Sequence, residues 1–208
     1  MIGIGRLMAG YILAALGFSL LFLGIGFNFW PQIAATVALL CIYALLVDRH
    51  GMLAQFRLGI GKMAAAVLTG LVSAAILYFI FVAGKMLAGL IFSFASGEIE
   101  SIYALKEGVP PWLIVILITL VIAPGEEIFW RAFMQRGLRR RYGIAGIAIG
   151  VLAYASVHIC SGNPMLIGAA LVCGTFWALL YERFQSLWAN IASHLLWDLA
   201  VFVLWPLA

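Results

Sequence analysis

The sequence predicts an all-α, polytopic membrane protein of about seven transmembrane helices, arranged as a single integral membrane domain over residues 1–208. Composition is the first reason: 66% of residues are hydrophobic and 10% are charged, with a mean hydropathy of +1.15, whereas a soluble domain carries roughly a quarter of its residues charged. The second is length, because several apolar runs reach the ~20 residues that a helix needs to cross hydrocarbon, about twice what a barrel strand needs. The third is placement. The basic residues behind the net charge of +4 stand between apolar runs, so they report topology rather than a nucleic-acid-binding face.

Residues 8–27 form the first expected span, preceded by Arg6 and without an obvious small-residue cleavage site after it, so it is read as part of the mature protein rather than as a signal peptide. Trp30 and Pro31 open the second, which stops at Asp48-Arg49-His50, and the mixed stretch 48–62 suits an interfacial segment in which His50 is solvated. The third runs from Met63 to about Phe94, with Lys85 snorkelling toward the interface. Residues 95–111 are the one sizeable polar stretch, closed by Pro110-Pro111. The fourth span, Trp112 to about Met134, contains Pro124-Gly125, which is expected to kink or break it. After the basic segment Arg136 to Tyr142 come a fifth span at 143–160, a turn at Ser161-Gly162-Asn163-Pro164, a sixth span at 165–181 and a last one at 187–207. The glycines, such as Gly143, Gly146 and Gly150, suit close helix packing. Cys41, Cys160 and Cys173 have no CxxC spacing and read as small buried hydrophobes.

Alternation of these spans makes the charges agree. With Arg139-Arg140-Arg141 in the cytoplasm, Arg6, the Arg49-Arg57-Lys62 segment and Arg183 also fall inside, and the acid-rich 95–111 loop falls outside. The N-terminus is then cytoplasmic.

Within the fourth span stands Glu126-Glu127-Ile128-Phe129-Trp130-Arg131. Charges at bilayer depth are costly and mark functional sites by default. Glu127 and Arg131 are four residues apart with the acid on the N-terminal side, the favoured order for an ion pair on one helix face. Glu126 is rotated about 100° from Glu127 and has no arginine on its own face. Glu127 and Arg131 therefore read as structural support and Glu126 as the group free for chemistry.

The later spans add His158, and His194 with Asp198 one helical turn apart. This set suits two arrangements, both able to hydrolyse a peptide bond. In one, Glu126 with His158 deprotonates a water while His194 and Asp198 stabilise an oxyanion. In the other, histidines and a carboxylate hold a divalent metal such as zinc with one position open for water. No GxSxG elbow, HExxH motif or Gly-rich phosphate loop is present.

Glu126-Glu127-x-x-x-Arg131, His158 four positions after aromatic Tyr154, and His194-x-x-x-Asp198, in that order, resemble the three motifs of the CAAX-processing and bacteriocin-processing (CPBP, or Abi) intramembrane endopeptidases. The resemblance covers a core at about 112–208. It implies a glutamate-type intramembrane protease in which Glu126 activates water, His158 assists, and His194 with position 198 stabilises the transition state; no cofactor is expected, with a metal as the other description of the family. Two departures stand out: Tyr154 occupies a position that is usually Phe, and Asp198 one that is often Asn. An ionised Asp cannot donate a hydrogen bond, so Asp198 could instead orient His194 or ligate a metal.

The resemblance further implies a membrane-associated peptide or protein substrate, not necessarily prenylated, no nucleic-acid partner, and residence in the lipid bilayer of a prokaryotic cell (inner) membrane. Glu126 and Arg131 lie in the later half of an outside-to-inside span, so the site is expected to open toward the cytoplasm. The rival classes are a proton-coupled transporter, for which no internal repeat is evident, and a non-catalytic membrane binding or immunity protein.

Overall fold

A computed structural model of the chain describes residues 2–26, 28–57 and 60–207. It is 86% helical. Among the described residues, seven helices are long and apolar enough to cross a membrane. In chain order they are α1 (Ile4–Phe22), α2 (Phe29–Gln55), α3 (Ile60–Ile91), α5 (Pro111–Tyr142), α6 (Ile144–Ser156, its span completed to Ser161 by the turn and short 3-10 segment that follow), α7 (Pro164–Phe184) and α8 (Leu187–Leu204), with the short α4 (Ala95–Ala104) between α3 and α5. Large apolar side chains such as Leu46, Leu90 and Leu120 face outward, as lipid-facing surfaces require. Phe27, at the end of the expected first span, and residues 58–59, inside the expected interfacial stretch, lie outside the described residues.

Residues 63–94, a run long for one helix, do form one: α3 continues through Lys85 to Ile91. The second helix does not stop at Asp48. It bends there, with Asp48 at φ −146° and ψ 54°, and resumes to Gln55. The Asp48 carboxylate accepts from the Gly51 backbone N–H at 3.3 Å and pairs with Arg136, so the side chain competes with the helical ladder at that point. Cys173 is buried and Cys41 partly so, but Cys160 is exposed, because the helix before it ends at Ser156.

The fourth span departs most from expectation. Pro124 does not break it. A π-helical segment, Ile118–Ile122, ends with the Ala123 N–H bonded to the Ile118 carbonyl, five residues back. That wider turn lies just where the proline ring would meet a carbonyl of a regular α-helix. A second π segment, Glu127–Gln135, closes with the Arg136 N–H on the Arg131 carbonyl. The helix then runs on through the arginines to Tyr142, because Arg136 is buried and paired rather than solvated. Gly143, at φ +62°, ends it.

The α3–α8 crossing is close: a Cβ at Gly70 would stand 2.9 Å from the Ala189 carbonyl oxygen and 3.0 Å from the Ser193 nitrogen. The site-bearing helix α8 is thus held against α3 backbone to backbone.

Candidate active site

The extension of α5 to Tyr142 moves Glu126 from the later part of a span to the middle of a 32-residue helix. Both acids are buried, and they divide their partners completely. Glu127 is fully enclosed. Its Oε1 faces His194 Nδ1 at 2.9 Å, its Oε2 accepts from Asn190 Nδ2 at 3.0 Å, and Arg131 Nε lies 3.3 Å from Oε2. The i, i+4 ion pair read from the sequence is present, reinforced by two residues of α8. Among the described residues Glu126 has one hydrogen-bond partner, the Tyr154 hydroxyl, which donates to Oε2 at 3.0 Å.

On α8, His194 Nε2 stands 3.5 Å from Asp198 Oδ2, so each ring nitrogen faces a carboxylate. The indole of Trp177 lies flat against this imidazole, centroids 3.7 Å apart and planes 22° apart, and donates its Nε1–H to Ser193. Asn190 also donates to the Trp177 carbonyl at 2.8 Å. The result is a rigid wall of α7, α8 and α5 around the Glu127 carboxylate.

His158 is not in a helix body. It follows the end of α6, in the turn completed by Gly162 at φ +64°. Its Nδ1 lies 2.9 Å from the Tyr154 carbonyl, and the ring sits among Phe18, Phe22 and Tyr154 with centroids at 5.3, 5.7 and 5.2 Å. A carbonyl oxygen only accepts, so Nδ1 carries the hydrogen in this bond and Nε2 of the neutral ring is left as an acceptor.

Glu126, His158, His194 and Asp198 all line one cavity of about 130 Å³. Glu127 and Arg131 stay behind its wall. The cavity lies toward the end of the bundle that carries the α1–α2 turn, α4 and the α6–α7 turn, since its lining includes Phe22, Trp30, Leu105 and Leu166. That end is opposite to Arg139–Arg141, so an opening on the arginine side is not what the fold provides. The expectation failed because it placed the end of the fourth span at Met134, eight residues before the helix stops at Tyr142. His158, just past the end of α6, lies at the observed side.

Among the described residues, no group of three or more His, Cys, Asp or Glu side chains is placed to hold a metal ion. Both nitrogens of His194 are turned to carboxylates.

The sequence reading did not assign Asn190, Trp177 or the Tyr154 hydroxyl to the site. A signal existed for two of them: Asn190, His194 and Asp198 repeat every four residues on one face, and Tyr154 lies one turn before His158. Trp177 had none, since one tryptophan in an apolar span looks like any other.

Residues 108–200 match the family model described as Rce1-like, Type II CAAX prenyl endopeptidase Rce1-like. No curated protein and no solved structure matches the chain.

Proposed function

We propose that the chain, whose residues 108–200 match the Rce1-like CAAX endopeptidase model, is an intramembrane protease of the CPBP family that hydrolyses a peptide bond in a membrane-associated peptide or protein. One observation carries the assignment of roles: of two adjacent buried acids, Glu127 has every oxygen engaged by Arg131, Asn190 and His194, while Glu126 lines the cavity with a single hydrogen bond.

In the reaction we propose, a water in the cavity is held between the free oxygen of Glu126 and Nε2 of His158. Glu126 Oε1 takes one proton as the O–H bond breaks, and the oxygen lone pair attacks the scissile carbonyl carbon. The carbonyl π electrons move to oxygen, which accepts from the Nε2–H of a protonated His194 whose Nδ1–H stays on Glu127 and whose Nε2 stands 3.5 Å from Asp198. Collapse breaks the C–N bond, and Glu126 returns its proton to the leaving nitrogen. Asp198, an acceptor when ionised, orients His194 instead of donating to the oxyanion. The substrate is membrane-embedded peptide, and prenylation is not a requirement of this geometry. We propose that the arginine-rich end and the N-terminus face the cytoplasm of a prokaryotic cell whose inner membrane holds the bundle, a reading supported by the positive charge at the end opposite the cavity.

The test is cleavage of a membrane-peptide library by purified protein in detergent, wild type beside Glu126→Gln, each with and without a strong chelator. Wild-type cleavage that is reduced about 10²- to 10⁴-fold in the variant is the expected result for loss of a general base. Cleavage kept under chelator supports side-chain catalysis alone, and cleavage lost to chelator but restored by zinc assigns the water to a metal. Equal cleavage by both folded proteins would sink Glu126 as the base.

A further inference from the structure

We propose that Tyr154 is a positioning residue whose hydroxyl fixes the Glu126 carboxylate, so that one side chain of α6 aligns the base and, through its own carbonyl, the histidine beside it. This deepens the protease reading and rests on it. The two contacts come from one residue: hydroxyl to Glu126 Oε2 at 3.0 Å, and carbonyl to His158 Nδ1 at 2.9 Å. A glutamate has three side-chain torsions, and among the described residues its other restraint is packing; a donor on Oε2 selects one rotamer and leaves Oε1 for the cavity.

The ring is itself over-determined. It is buried, it meets Trp130 edge-on at 5.3 Å and His158 at 5.2 Å between centroids, and the Arg131 guanidinium lies 5.3 Å over it. On α7 the facing residue is Gly174, where a Cβ would come within 2.9 Å of Tyr154 Cδ1. A glycine there gives the ring its seat. The backbone carbonyl contact would survive any side chain at 154, but the hydroxyl contact requires tyrosine. A phenylalanine would fill the same space and leave Glu126 without a hydrogen-bonding partner.

The geometry demands a separation in the kinetics. The hydroxyl is engaged by Glu126, so its loss should act on the chemical step and not on substrate affinity. With the best-cleaved peptide of the library as probe, Tyr154→Phe should lower kcat by about 10-fold or more with KM unchanged, the size expected for a hydrogen bond to a charged group. In a Glu126→Gln background the same substitution should lower the residual rate no further. Gly174→Ala keeps the hydroxyl but pushes the ring, and should lower kcat in the same way; it also serves if Tyr154→Phe does not accumulate. An unchanged kcat, a rise in KM alone, or an equal further loss in the Glu126→Gln background would each overturn the role of Tyr154. Full activity of Glu126→Gln would instead overturn the protease mechanism itself, so the two failures are distinct.

Discussion

Glu126 and Glu127 are neighbours in sequence, and burial treats them alike, so their division of labour comes from what the surrounding helices bring. Removing Glu127 leaves Arg131 buried beside a tyrosine ring with no carboxylate, and strips Asn190 and His194 of their acceptor. Breaking a buried pair in this way costs on the order of 3–5 kcal/mol. Glu127→Ala is therefore expected to lower the melting temperature in detergent markedly along with activity, while Glu126→Gln should melt close to wild type and lose only activity. Similar melting of both variants would show that Glu127 is not structural. Asn190→Leu removes one donor to Glu127, for which about 1–3 kcal/mol is expected. This division was half legible in the sequence: i, i+4 spacing paired Glu127 with Arg131, but the α8 partners required knowing which helices meet.

Elements set those meetings, and here the sequence spoke through length and polarity while staying silent on helix continuity. Spans, the turn at Gly162 and the helical fold class were readable because apolar runs have the length that a bilayer imposes. Arg136 to Tyr142 looked like a loop because arginine normally seeks water. Asp48 on α2 supplies the buried Arg136 with a half-buried partner from 88 residues away, which no local pattern announces. Pro124 misled for a related reason: a π turn absorbs it and at the same time turns the two acids relative to the rest of α5. The close α3–α8 approach gives an element-scale prediction. Gly70→Ala puts a methyl against the α8 backbone at Ala189 and Ser193, where nothing flexible can yield. It should destabilise by about 1–3 kcal/mol and displace the helix that carries His194, lowering cleavage. Gly84→Ala, on the same helix with nothing within 4 Å, should leave melting and cleavage as in the wild type. Equal behaviour of the two would mean that the crossing does not position α8.

At the scale of the whole molecule the cavity and the arginines occupy opposite ends of the bundle. Its lining residues Phe22, Leu105, His158 and Leu166 belong to one set of helix ends; Arg139, Arg140 and Arg141 stand at the end of α5 that belongs to the other. Arginine-rich ends stay in the cytoplasm because translocating them is unfavourable, so cleavage is expected in the outer half of the bilayer. Single cysteines read this directly in intact cells, using a membrane-impermeant maleimide in a Cys160→Ser background that removes the exposed native thiol at the cavity end. Glu107→Cys, in the exposed segment between α4 and α5, should label from outside, and Arg141→Cys only after the cells are opened. The reverse pattern would turn the molecule over, bring the cavity to the cytoplasmic half, and require a substrate whose scissile bond approaches from inside the cell.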